Sequence, residues 1–208
     1  MDDATTTYLR VRYWEEDDLL RALRTDLEAR GPAIQVSAET GRLLATLVAA
    51  VRARRVLEIG TLFGYSGVWI ARALASDGSL DTLELSDMHA DAAEMWFERA
   101  GLTDRVTVRR GPALSTLPDL TGPYDVIFLD ALKTEYAEYA QHAGRLLAPG
   151  GLMLADNARW SDRIADPSVT DPDTEGLRRF HELISRDPGW SSTVVPVGDG
   201  VAVSVRRG

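Results

Sequence analysis

The chain contains no cysteine. That excludes a disulfide framework, a thiolate zinc site and a thiol nucleophile. Histidine is scarce as well. His89, His142 and His181 fall on stretches that read as helices without metal-ligand spacing, so each is expected to be structural or at the surface. Excess positive charge is also missing: 23 basic side chains stand against 32 acidic ones, a net charge of -9. A nucleic-acid-binding surface needs a basic patch, and the one dense cluster, Arg52, Arg54 and Arg55, reads as a solvated helix end. Long apolar runs are absent too. The stretch after Arg42 is interrupted by Thr46 and ends at Val51, too short to span a bilayer. The opening MDDATTTYLRVR has neither the basic start nor the apolar core of a signal peptide. A cytoplasmic location is expected, with no membrane or nucleic-acid partner.

What is present fits a single globular domain over 1–208: 45% hydrophobic and 26% charged residues in a chain of ordinary domain length. From Arg54 onward, short β-rich runs alternate with helical stretches, the signature of a parallel βαβ sheet. Strands are read at Arg55–Ile59, Ser79–Leu85, Val106–Arg109, Tyr124–Leu129, Gly151–Ala155, Ser192–Val197 and Val201–Val205. Helices are read at Ser66–Ser76, Met88–Ala100, Ala113–Leu117, Thr134–Leu147 and Asp173–Arg186. Two more, at Glu15–Arg30 and Ala38–Arg52, make up an N-terminal part over 1–53, with Ser37 as N-cap of the second. Gly198-Asp199-Gly200 is a tight-turn signal that makes the last two strands an antiparallel hairpin.

Two strand ends carry the chemistry. Asp130 follows Val126-Ile127-Phe128-Leu129, and Asp156-Asn157 follow Leu152-Met153-Leu154-Ala155. Ligands of parallel sheets bind at the carboxyl ends of adjacent strands. Three hard oxygen donors without His or Cys suit Mg²⁺, with Mn²⁺ or Ca²⁺ as alternatives. Lys133 lies three residues after Asp130, within reach of whatever the metal holds. The 157–172 segment starts at these donors and reads as a lid or binding loop. Within it Trp160 is a candidate substrate contact, as is Leu132 beside Lys133.

The first strand and its turn read VLEIGTLFGYSG, with glycines at 60, 64 and 67 expected to let backbone approach a ligand. The spacing fails the dinucleotide pattern G-x-G-x-x-G, which disfavours a nicotinamide dehydrogenase. Glu84, closing the second strand, is placed to accept ribose hydroxyls, and Glu58 to face an amino group. A cofactor with ribose, an amino acid part and no phosphate fits both: S-adenosylmethionine.

Taken together, VLEIGTLFGYSG, TLEL, RVTVRRGPALSTLP, FLDALKTEYAEY and LLAPGGLMLADNARW resemble the cation-dependent class I O-methyltransferases, the family of catechol and caffeoyl-CoA O-methyltransferases and small bacterial relatives. The match runs in order from about Gln35 to the C-terminus. The resemblance implies a Rossmann-like α/β sandwich with a seven-stranded sheet, order 3-2-1-4-5-7-6, strand 7 antiparallel. It implies Asp130, Asp156 and Asn157 as metal ligands, Lys133 as general base and Glu84 as the ribose-binding acid. Glu58, Gly60, Thr61, Gly64 and Ser66 match the turn that holds the methionine end, with Val36, Ala113 and Asp130 as further cofactor contacts. A homodimer is implied as well. Two departures stand out: bacterial relatives commonly carry an acid where this chain has Leu132, and a glycine where it has Asp162.

The reaction so implied is metal-dependent methyl transfer from S-adenosylmethionine to a hydroxyl of a catechol-type vicinal dihydroxy aromatic, an activity of secondary metabolism. Two other readings share the cofactor: a metal-independent methyltransferase and a non-catalytic SAM-binding regulatory module. Retention of Asp130, Asp156, Asn157 and Lys133 together speaks against both.

Overall fold

The computed structural model of the protein describes residues 4–208. Its centre is a seven-stranded sheet in the order 3-2-1-4-5-7-6, as the resemblance implies. β1 (Arg55–Ile59), β2 (Ser79–Glu84), β3 (Val106–Arg110), β4 (Tyr124–Leu129) and β5 (Leu147–Ala155) run parallel. β6 (Trp190–Val195) and β7 (Val201–Arg206) form the antiparallel hairpin, with β7 laid against β5. Val56-Leu57 and Val126-Ile127-Phe128-Leu129 are fully buried because helices cover both faces of the sheet, which is why these strands read as unbroken apolar runs.

The pleat divides the core in two. Val56, Phe128 and Leu154 point to one face, where α2 (Asp18–Arg30), α3 (Ala38–Ala50), α4 (Tyr65–Ala73) and α5 (Asp87–Arg99) bring Leu23, Leu44, Val68 and Phe97. Leu57, Ile127 and Met153 point to the other, where α7 (Tyr136–Leu146) and α8 (Pro172–Arg186) bring Tyr139, Ala143, Leu177 and Phe180. Burying each such side chain contributes about 1.5–3 kcal/mol. The short α6 (Ala113–Thr116) sits after β3.

Several boundaries differ from the sequence reading for local reasons. α2 starts at Asp18, three residues late, because Asp17 leaves the helix to cap it, accepting from Leu20 N at 2.9 Å. Ser37 caps α3 as expected, accepting from Thr40 N at 3.1 Å. The helix after β4 begins as a 3-10 turn at Lys133–Glu135 before α7 takes over. β5 starts at Leu147 and carries Pro149-Gly150-Gly151 inside it, with a register shift between Tyr124 and Val126 on its neighbour. A helix that apolar periodicity does not signal, α1 (Ala4–Tyr13), buries none of its side chains. The 157–172 segment holds left-handed backbone at Trp160, Ser161 and Asp162, which interrupts the helical turns over Trp160–Ala165, and it ends where Asp171 caps α8. Among the described residues no helix is long and apolar enough to cross a membrane.

Candidate active site

The central strand ends are tied to one another in steps. Gly111 N donates to Glu84 O at 2.8 Å, Gly60 N to Leu83 O at 3.0 Å, Asp130 N to Ile59 O at 2.8 Å and Asp156 N to Leu129 O at 3.0 Å. This ladder sets Glu84, Gly60, Asp130 and Asp156 in a row along the carboxyl edge of the sheet, where parallel sheets bind ligands. A cavity of about 640 Å³ opens over that row. The β2/β1 side contributes Thr61, Ser66, Glu84, His89 and Ala113 to its wall, with Val36 from the segment before α3. The β4/β5 side contributes Leu132, Lys133, Asn157 and Trp160, and Gly60 and Asp130 lie between.

On the first side every carboxylate oxygen is held. Glu84 Oε2 accepts from Thr61 N at 3.1 Å and Leu62 N at 2.8 Å. Its Oε1 accepts from Ser86 N at 2.9 Å, and His89 Nδ1 lies 3.3 Å away. The acid of β2 thus fixes the turn after β1. Glu58 is not on the cavity wall. It is fully buried one residue before that turn and accepts from Ser66 Oγ at 2.6 Å and Thr82 Oγ1 at 2.7 Å, Thr82 being its partner across the β1–β2 register. Burial pushes its carboxyl up to about 7, against the pull of those two hydroxyls. It meets the cavity through Ser66.

The glycines of the turn serve packing as well as ligand approach. A Cβ on Gly60 would stand 2.0 Å from Asp130 O, and one on Gly64 2.9 Å from the Phe97 ring. Both also hold left-handed backbone, with φ of +100° and +87°. Gly64 and Gly67 face Phe97, so of the three glycines expected to bare backbone to a ligand Gly60 alone lines the cavity.

The second side is less satisfied. Lys133, with a side chain only 10% exposed, donates from Nζ to Asp130 Oδ1 at 3.0 Å and to Tyr136 Oη at 2.8 Å. α8 braces this turn through Gly176, where a Cβ would come within 2.3 Å of Lys133 O. Asp156 is buried and its Oδ1 has no hydrogen-bond partner. Desolvation, then the nearby Asp130 charge, pushes its carboxyl up to about 7. Asn157 takes left-handed backbone at φ +56° and donates from Nδ2 to Asp199 Oδ2 at 3.4 Å, leaving its amide oxygen free of that contact. Two carboxylates and an amide make a mixed oxygen set. Among the described residues no group of three or more His, Cys, Asp and Glu is placed to hold a metal, so a cation here would need that amide oxygen. The unpartnered Asp156 Oδ1 beside Asp130 fits a cation: a buried acceptor without a donor costs about 1–3 kcal/mol unless something fills the role.

An O-methyltransferase family model matches residues 12–207. The chain belongs to the O-methyltransferase family. It is 41% identical over 201 residues to a catechol O-methyltransferase of Niastella koreensis, covering 92% of this chain and 91% of the relative. A catechol O-methyltransferase of Mycobacterium tuberculosis is 40% identical, with 93% and 90% covered. Among solved structures, the O-methyltransferase of Bacillus cereus in complex with SAH superposes with a TM-score of 0.92 at 38% identity, covering 98% and 97%. The Streptomyces achromogenes O-methyltransferase TomG, involved in tomaymycin synthesis and solved with SAM, gives 0.92 at 34%, covering 99% and 97%. This O-methyltransferase is therefore a SAM-dependent enzyme with the class I sheet.

The cavity wall of this O-methyltransferase brings together most of the residues the sequence singles out, while Asp156 and Gly64, like Glu58, lie behind it. Leu132, half exposed, and Trp160 both line it. Trp160 Nε1 donates to Thr174 Oγ1 at 3.2 Å, which pins the loop to the start of α8. Several contributors escaped the sequence reading, His89 and Asp199 among them. His89, expected to be structural or at the surface, lines the wall beside Glu84 and packs against the Phe63 ring at 5.8 Å. Asp199 reads as a turn residue between two glycines, yet its Oδ1 accepts from Ser161 N at 2.7 Å and its Oδ2 from Asn157. The signal for Asp199 was the hairpin itself, which lands next to β5. His181, by contrast, lies off the cavity wall, 2.7 Å from the carbonyl of Ala158.

Proposed function

We propose that this enzyme transfers the methyl group of S-adenosylmethionine to one hydroxyl of a vicinal dihydroxy aromatic, with a divalent cation, Mg²⁺ foremost, held by Asp130, Asp156 and Asn157. The observation that carries this reading is the unpartnered, buried Asp156 Oδ1 next to Asp130, with the amine of Lys133 within hydrogen-bond distance of Asp130. The relatives named catechol O-methyltransferase support the acceptor class. When bound, such a cation orients two neighbouring hydroxyls and favours loss of a proton from one. Lys133 Nζ accepts that proton, and the oxygen so freed displaces S-adenosylhomocysteine from the methyl carbon. Glu84, with Thr61 and Leu62 fixed beneath it, holds the ribose end, and Ser66, backed by Glu58, faces the methionine end. Leu132 and Trp160 flank the acceptor ring, and the transfer depends chiefly on positioning.

The test is S-adenosylhomocysteine release with a panel of vicinal diols, in Mg²⁺ and in EDTA. The expected outcome is turnover that EDTA abolishes and excess Mg²⁺ restores. Turnover indifferent to EDTA would point to a metal-independent methyltransferase, and tight SAM binding without turnover to a regulatory module.

A further inference from the structure

Lys133 and Tyr136 are three residues apart across a 3-10 turn, a spacing that stacks the two side chains on one face. Tyr136 is fully buried, its ring held edge-on by Phe180 at a centroid distance of 5.6 Å. Its hydroxyl donates to Leu129 O at 3.2 Å, with Asp156 O at 3.4 Å as the alternative acceptor. The oxygen is left to accept from Lys133 Nζ at 2.8 Å. One hydroxyl thus joins the last residue of β4, the first residue after β5 and the lysine.

We propose that Tyr136 is a positioning residue that holds Lys133 Nζ towards the acceptor hydroxyl. This rests on Lys133 being the proton acceptor. Nζ stands between two fixed acceptors, Asp130 Oδ1 at 3.0 Å and Tyr136 Oη at 2.8 Å, and these two contacts set where it stands and which way its remaining face points. Without the hydroxyl, one of the two contacts is lost and the end of the side chain swings about the other. The proton then transfers only from the fraction of positions in which Nζ faces the substrate. A hydroxyl that merely satisfied the strand-end carbonyls would have no such dependence on the lysine.

The test is the single-turnover rate of methyl transfer at saturating SAM, catechol and Mg²⁺ in Tyr136→Phe, Lys133→Met and the double variant, with SAM and Mg²⁺ affinities from calorimetry. Tyr136→Phe is expected to slow transfer about 10- to 100-fold, the scale of a misplaced catalytic group. KM for SAM and catechol and the Mg²⁺ affinity should stay within about two-fold, since no contact to either ligand is removed. In the Lys133→Met background the Tyr136 substitution should cost nothing further. An equal loss in both backgrounds, or no loss at all, overturns the positioning role. A wild-type rate in Lys133→Met overturns the base assignment itself and the proposal with it, an outcome separate from the first. If Tyr136→Phe does not fold, 3,5-difluorotyrosine at position 136 keeps the shape and weakens the oxygen as an acceptor. A slower rate there supports the proposal, and an unchanged one overturns it.

Discussion

The two sides of the cavity are built on opposite plans. Around β1 and β2 the carboxylates are saturated: Glu84 takes three backbone N–H groups and faces His89, and Glu58 takes two hydroxyls. Around β4 and β5 one is left open: Asp156 Oδ1 has no partner, Leu132 is half exposed, and left-handed backbone runs through Asn157, Trp160, Ser161 and Asp162, where among non-glycine residues the β1 turn has it at Leu62 alone. Left-handed conformation in non-glycine residues costs about 1 kcal/mol or more each and persists where the surroundings enforce it. In the proposed reaction, S-adenosylmethionine would meet the side whose carboxylates are already held and the acceptor the side that a cation would complete.

The sharpest way to break that contrast is to remove the open acceptor. Asp156→Ala is expected to lower single-turnover methyl transfer by about 10³-fold or more, the scale on which a single electrostatic catalytic group acts. Calorimetry should show Mg²⁺ affinity lost and SAM affinity within a few-fold of wild type; retained Mg²⁺ binding would remove Asp156 from the ligand set. Glu84→Ala attacks the saturated side instead. It strands the Thr61, Leu62 and Ser86 amides, so the protein should lose about 3 kcal/mol or more in urea titration. SAM affinity should fall about 10- to 100-fold, the worth of a pair of charge-assisted bonds, with Mg²⁺ binding little changed. Loss of both affinities together would mean that the two sides are not separable.

Acidity offers a gentler probe. Glu58 is pushed from an ordinary 4.5 up to about 7 by burial, and Asp156 from 3.8 up to about 7. Folded-state values above the unfolded ones mean that the native protein carries more protons across this window. Stability of the metal-free enzyme should therefore be highest at the acid end and fall as pH rises from about 4.5 towards 7. Glu58→Gln should flatten part of that fall in melting temperature, and Mg²⁺ should offset another part by binding the Asp156 carboxylate. A melting temperature that rises over this window would contradict both burial effects. The smallest expected change comes from the loop. Trp160→Phe keeps a ring but loses the bond to Thr174, so KM for the acceptor should rise about three- to ten-fold, in line with about 1 kcal/mol for one hydrogen bond. KM for SAM should not move.

The same contrast explains what could be read from the chain alone. The alignment of Asp130, Asp156 and Glu84 was legible because each stands at the carboxyl end of a strand, and strand ends in a parallel sheet converge whatever the details of packing. The Gly198-Asp199-Gly200 turn gave away the antiparallel edge for a similarly local reason. Less legible was anything decided across the sheet. Glu58 looks like a cavity residue in sequence, yet its pairing with Thr82 and Ser66 encloses it. Asp199 came into play only once the hairpin was laid against β5. The left-handed run at Trp160–Asp162 has no glycine to announce it, and α1 has no apolar stripe. Tyr136 stood inside the most informative motif, but only the fold showed that its hydroxyl meets the lysine.

Gly60 carries a consequence for redesign. With no room for even a methyl between this residue and the Asp130 carbonyl, the turn after β1 and the chain leaving β4 rest main chain against main chain. Their separation is thus a property of the sheet and lies beyond the reach of side-chain exchange. In the proposed reaction, substitutions at Leu132, Trp160 or the loop would reshape which molecule enters without changing how far its hydroxyl stands from the turn after β1. Nature or an engineer can vary the guest freely, provided that this one glycine is left alone.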